Sequence, residues 1–134
     1  MIHNYSLIII KYKNKYLLYD DQRWKCKLFI NYKTVNKDNE QHLINFISKN
    51  LEIDISLISY KYITSKIQRK YSISHNEYKT YNHSLYLVTL SFLQTIIINN
   101  DFIIKNKHYY WMIMNMISND KSIKEKNLWK KKYN

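Results

Sequence analysis

The sequence predicts an α+β domain, and three observations predict it. One amphipathic helix pattern stands between β-branched stretches, alternating apolar stretches fill most of the remaining chain, and a lysine-rich helical pattern closes it. The length suits one domain spanning 1–134, with enough residues for a single core.

The elements follow in order. Residues 5–12, YSLIIIKY, are β-branched and read as a strand. Lys15–Asp20 reads as its hairpin partner across Lys13-Asn14, with Asn14 expected at the positive-φ position. Asp20-Asp21-Gln22 reads as a loop. From Trp24 to Ile30, Trp24, Cys26, Leu28 and Ile30 alternate with Lys25, Lys27 and Phe29, the mark of a half-buried strand. The main helix is expected over about 38–51. Leu43, Phe46, Ile47 and Leu51 share one face at three- and four-residue spacing. Asp38 stands at the N-cap and Gln41 three residues on, as in a capping box. With Phe46 on the buried face, Phe46→Ala is expected to cost roughly 3–5 kcal/mol.

A strand is expected from Ile55 to about Lys66. The overlapping segment Lys61–Lys79 interleaves Lys61, Lys66, Arg69, Lys70 and Lys79 with Tyr62, Tyr71 and Tyr78. Cations suit phosphates and rings suit unpaired bases, so this reads as a basic-aromatic nucleic-acid-binding loop. The same residues also fit a solvated hairpin in a Lys- and Tyr-rich protein. Ser84–Leu93 is the most apolar stretch. Thr89, Ser91, Gln94 and Thr95 interrupt it short of the roughly twenty apolar residues of a membrane-spanning helix, so central strands are expected and no membrane span. Ile96–Ile98 and Phe102–Ile104 read as a hairpin across Asn99-Asn100-Asp101, with Asn100 in place of glycine. After Tyr109–Met112 and Ile113–Ile117, a break at Ser118-Asn119-Asp120 precedes a basic helix over about 121–133. Its Lys121, Lys124, Lys130, Lys131 and Lys132 form the densest cation cluster, a first choice for phosphate contact. A solvated terminus would carry the same residues.

Composition constrains chemistry more than fold. The chain contains no Gly, Pro or Ala, while Ile, Lys, Asn and Tyr make up about half of it. Turns must use other residues, and Asn and Asp are expected at most left-handed positions. This bias follows AT-rich codons and indicates a gene from an AT-rich genome, such as that of an organelle, a low-GC protist or a virus. The net charge of +12 suits a polyanion, either nucleic acid or an anionic membrane face. The single Cys26 excludes an internal disulfide and a cysteine zinc site. The N-terminus carries no secretory pattern and no Arg- and Ser-rich presequence, so an organellar product is expected to be made in place. His3, His42, His75, His83 and His108 form no recognisable catalytic order with Cys26 or the scattered acids.

The arrangement strand, loop, helix and Leu51-Glu52-Ile53-Asp54-Ile55, preceded by Trp24 and an apolar strand, resembles a Nudix domain. That resemblance implies a mixed β-sheet with the main helix and C-terminal helices packed on it. Anchored on Leu51-Glu52-Ile53, the Nudix box places Asn45 at the family's arginine and Ile47 at its apolar position. Its metal-binding carboxylates fall on Lys37, Phe46, Lys49 and Asn50, its first glycine on Asn31 or Tyr32, and its late glycine on Glu52. The apolar frame of the motif is present and its acids are replaced. In this family hydrolysis needs a divalent cation gripped by clustered carboxylates, so no metal, no cofactor, no small-molecule substrate and no enzyme activity are expected.

The chain also resembles the Nudix-fold protein of the mitochondrial large ribosomal subunit. The resemblance implies a structural ribosomal protein of the mitochondrial matrix, organelle-encoded, contacting rRNA and other ribosomal proteins through its basic surface. Two further readings stand beside it: a supernumerary subunit of an organellar respiratory complex, and a divergent Nudix hydrolase with relocated acids.

Overall fold

A computed structural model describes residues 2–22, 25–34, 39–73, 75–90 and 101–120. The strands are β1 (Ile2–Tyr12), β2 (Lys15–Asp21), β3 (Cys26–Lys33), β4 (Ile58–Ser72), β5 (Glu77–Leu90), β6 (Phe102–Ile104) and β7 (Lys107–Ile113). Helix α1 spans Asn39–Leu51 and helix α2 spans Met114–Asn119. The seven described strands form one mixed sheet in the order β4-β5-β1-β3-β2-β7-β6. β1 runs parallel to β5 and antiparallel to β3. Such a sheet with few helices is the α+β fold that the sequence predicts.

The pleat sorts the core into two layers, since successive side chains alternate between faces. Ile8 and Ile10 of β1 pack with Leu43, Ile47 and Leu51 of α1 on one face. Leu7 and Ile9 pack with Phe29, Leu18, Leu85 and Ile117 of α2 on the other. β3 is therefore buried on both faces, with Phe29 fully buried opposite Leu28 and Ile30, rather than half-buried as its alternation suggests. A lone aromatic among lysines looks exposed in sequence, but here the second layer covers it.

Helix α1 buries Leu43, Ile47 and Leu51, while Phe46 sits at the rim, partly buried against the same cluster. The predicted cap Asp38 lies outside the described residues, and Gln41 bonds forward to Asn45 at 3.2 Å. The helix ends in a Schellman arrangement. The N–H of Ile53 reaches the carbonyl of Ser48 at 3.2 Å, and the Ser48 hydroxyl donates to the Ile53 carbonyl at 2.6 Å. Glu52 occupies the left-handed position with φ 55°.

Left-handed positions fall mainly on charged residues rather than on Asn and Asp. Among the described residues they are Lys13, Lys25, Glu52, Asn76, Lys105 and Asn106. Lys13, not Asn14, takes the positive φ in the β1–β2 hairpin. Phe102–Ile104 pairs forward with β7 across Lys105-Asn106, both left-handed as a type I′ turn requires. Its predicted partner, 96–98, lies outside the described residues. A left-handed L-residue with a Cβ costs about 1–2 kcal/mol; strand pairing on either side holds it in the hairpin turns, and the Ser48–Ile53 bonds hold it at Glu52.

β4 is longer than predicted. A 3-10 turn, Ile55–Leu57, is capped by Asp54, whose carboxylate accepts from the Ser56 N–H at 2.9 Å. β4 then runs to Ser72 and pairs with β5 from Ile58↔Leu90 to Ser72↔Glu77, so the predicted basic-aromatic loop is a regular hairpin, the arm, at the edge of the sheet, and only its tip, 70–72 with 77–79, reaches past β1. Its register shifts between Tyr62 and Thr64, leaving Ile63 as a bulge. The predicted break at 118–120 is the end of α2, with Asp120 at its C-cap. The predicted helix over 121–133 lies outside the described residues.

Glycine relieves a left-handed position but loses more entropy on folding. Glu52→Gly is therefore expected to raise stability by about 0.5–1 kcal/mol, seen as a higher denaturant midpoint at unchanged slope. A lower midpoint would contradict the cap geometry. Leu43, fully buried, should lose roughly 2–5 kcal/mol on change to alanine. Phe46→Ala should lose less than the fully buried estimate, because part of the ring already meets solvent. Urea unfolding of both variants checks the order.

Candidate functional site

Three regions of the described chain carry polar or charged groups in an organised setting. The first is the outer face of α1. Phe46, Lys49 and Asn50 stand at i, i+3 and i+4, so they share a face. The Phe46 ring packs on Tyr32 with centroids 4.8 Å apart. The Asn50 amide donates to the Phe46 carbonyl at 2.8 Å. Lys105 brings a second ammonium group to the Lys49 carbonyl at 3.0 Å. A hard divalent cation needs several oxygen ligands, and an aromatic ring, two ammonium groups and an amide turned into its own helix do not supply them. The fourth position, Lys37, lies outside the described residues. No group of three His, Cys, Asp or Glu able to hold a metal occurs among the described residues.

A polar cluster sits at the start of α1. The Asn39 side chain accepts from the Tyr32 hydroxyl at 2.8 Å and donates to the Tyr86 hydroxyl at 2.9 Å, and Ser6 shares a hydrogen with Thr34 at 2.8 Å. Burial raises the Tyr32 hydroxyl above the usual tyrosine range. Beside this cluster, an open groove of about 470 Å³ is lined by Asn39, Glu40, Gln41, Ile44 and Tyr60. The nearby Glu40 carboxylate pushes the Tyr60 hydroxyl upward.

The second region is the cleft where β2 leaves the sheet, about 440 Å³, lined by Asp20, Asp21, Gln22, Lys25, Cys26 and Lys27. Both acids are already engaged. Tyr110 donates to Asp20 at 2.6 Å, which pushes its hydroxyl up to about 12, and Tyr19 donates to Asp21 at 3.1 Å. Lys27 stands 4.9 Å from the Tyr110 ring centroid.

The third region is the β4–β5 arm, and here the predicted residues divide. Cross-strand partners share a face, and the bulge at Ile63 changes which residues of β4 point where. Lys61, Lys66, Lys70 and Lys79 fall on the α2 face. Arg69 and Tyr71 fall on the α1 face, where Arg69 lies 5.1 Å from the Tyr78 ring and Tyr71 meets Tyr78 edge-on at 5.2 Å. The structure thus brings four of the six predicted arm residues together and sets two apart. Lys121, Lys124, Lys130, Lys131 and Lys132 lie outside the described residues.

Sequence reasoning missed a set of rings on the α2 face. His3 and Tyr5 of β1 meet Tyr81 and His83 of β5, with centroids 5.5 Å (His3–Tyr81), 6.0 Å (Tyr5–Tyr81), 6.1 Å (Tyr5–His83) and 6.2 Å (Tyr81–His83). The signal was there: His-x-Tyr and Tyr-x-His place two rings on one face of each strand. What sequence lacked was the parallel pairing that sets Tyr5 against His83.

No protein-family model matches the chain, and no curated protein matches it by sequence. Solved structures do match it by shape. A hydrolase of the NUDIX family from Clostridium perfringens superposes with a TM-score of 0.66 at 14% identity, covering 98% of this chain and 94% of that one. The E. coli dihydroneopterin triphosphate pyrophosphohydrolase gives 0.63 at 11% identity, covering 84% and 82%. The NUDIX domain of Shewanella oneidensis NrtR, solved with ADP ribose, gives 0.61 at 7% identity, covering 99% and 85%. At such identities what is shared is architecture: the chain has a Nudix-like α+β fold.

Proposed function

We propose that this chain is a non-catalytic Nudix-fold protein that serves as a structural component of the mitochondrial ribosome. It would bind rRNA and neighbouring proteins through its basic surface, as an organelle-encoded protein of the matrix. One observation carries the reading. The end of α1 keeps the frame of the Nudix box, down to a left-handed residue where the family has glycine, while the face meant for carboxylates presents Phe46, Lys49 and Asn50. A helix that has exchanged acids for a ring and a cation repels a metal and suits a polyanion. The excess of +12 agrees with this.

The divergent-hydrolase reading has its own support. Two of the similar structures are a hydrolase and a pyrophosphohydrolase, and Asp20 and Asp21 line a cleft. It requires those acids to be released from Tyr110 and Tyr19.

The native protein should co-sediment with ribosomal particles and leave them as salt rises, because each phosphate contact contributes a slope of about −0.7 to −0.9 in log K against log salt. Sedimentation with detergent-extracted membrane complexes would instead identify a respiratory subunit. Removing the charges of Lys130, Lys131 and Lys132 should weaken RNA association more than removing those of Lys11 and Lys13. Equal losses would deny the tail a specific contact.

Incubated with magnesium or manganese, the purified protein should turn over none of a panel of diphosphate-linked nucleosides. Turnover abolished by Asp20→Asn or Asp21→Asn would replace this reading with the hydrolase.

A further inference from the structure

The α2 face of the sheet, at the end where the arm leaves it, holds His3, Tyr5, Tyr81 and His83 as one continuous floor of half-buried rings. These rings belong to neither core cluster. Cations frame them on both sides. Lys33 of β3 is directly opposite Tyr5, Lys66 of β4 is opposite His83, and Lys70 pairs with Lys79 one step further out. Lys33 and Lys70 are exposed. The one carboxylate that the register places on this face of the arm, among the described residues, is Glu77 at the tip. Gln68, opposite Tyr81, adds a neutral amide that can both donate and accept.

We propose that this ring floor is a stacking platform for unpaired nucleotides of a single-stranded nucleic acid, with Lys33, Lys66, Lys70 and Lys79 taking the phosphates on either side. The inference rests on the RNA-binding role proposed above and adds to it the form of the nucleic acid and the residues that hold it.

The chemistry supports single strands over duplex. Half-buried rings on a sheet face leave part of their surface open to a ligand, and a base can stack on a ring only when it is not stacked within a helix. Stacking tolerates any base, so the platform reads strandedness rather than sequence. Lys33 and Lys66 stand on the neighbouring strands, one strand spacing from the residues that carry the rings, where a backbone passing beside stacked bases would run. Burial and the nearby Lys70 also hold His83 below the usual histidine range, which favours the uncharged ring. A membrane surface would use the same cations but has no use for ring faces aligned across two strands. On the opposite face of the arm Arg69, Tyr71 and Tyr78 are also cationic and aromatic, but there the cation itself is engaged, with Arg69 over the Tyr78 ring.

The test measures fluorescence anisotropy of the full chain with an unstructured twelve-nucleotide oligouridylate, its DNA equivalent and an RNA duplex, over a range of salt. Single strands should bind more tightly than duplex. Tyr5→Leu and Tyr81→Leu should each weaken single-strand binding about tenfold and leave the salt slope unchanged. Tyr81→Phe should restore it, which separates stacking from a general fault in folding. Lys33→Gln and Lys70→Gln should each make the slope shallower by about 0.7. Ile67→Ala, exposed on the other face, should change neither.

If duplex and single strand bind equally and the ring variants bind like the parent chain, the platform is overturned while the wider RNA-binding role stands. If no nucleic acid binds, both fall. The platform also falls if phosphatidylserine vesicles capture the chain and single strands do not.

Discussion

Strand β1 is the constraint on which the rest depends. Leu7, Ile8, Ile9 and Ile10 are each at most 1% exposed, so four consecutive side chains fill two different layers. An edge strand cannot do this. β1 has to lie inside a sheet with cover on both faces, and that requirement brings β5 alongside in parallel and β3 antiparallel. Parallel neighbours need a long crossover, which here runs through β2, β3, α1 and β4. The helix is thus fixed over Ile8 and Ile10 by the same requirement, and α2 covers Leu7 and Ile9 from the other side.

Once that frame is set, the functional surfaces become separable. The helix keeps its place whatever its solvent-facing residues are, since Leu43, Ile47 and Leu51 hold it from beneath. Its outer residues are then free to change. Phe46 leans on Tyr32, and Lys49 meets a second lysine. Likewise β4 lies at the end of the sheet and is held by β5, so its outer edge can carry charge and its tip, 70–72, can extend past β1.

The main helix was readable in the sequence because its periodicity is strong and its end coincides with a β-branched run. The strands were readable from alternation, and the Nudix-like architecture from the spacing around Leu51-Glu52-Ile53. Turn chemistry was not. In a chain without glycine any residue has to accept positive φ, and Lys13, Lys25 and Lys105 do so, where propensity alone favours asparagine. The second layer was also hidden, because Phe29 looks like an outward residue until α2 is placed. Four of the arm residues, Lys66, Arg69, Lys70 and Tyr71, could not be assigned to a face from sequence. Parity counted from Tyr60 holds only until a bulge, and nothing in Tyr62-Ile63-Thr64 announces one.

That bulge has a consequence beyond local geometry. Before Ile63 the even-numbered residues of β4 share the helix side, and after it the odd-numbered ones do. Lys66 and Lys70 owe their side to the place where this slip occurs. Shifted beyond Lys70, it would leave both lysines on the helix side and carry Arg69 across to the other. An edge hairpin of this kind can exchange its two surfaces by relocating one unpaired residue, with no change in its amino-acid inventory.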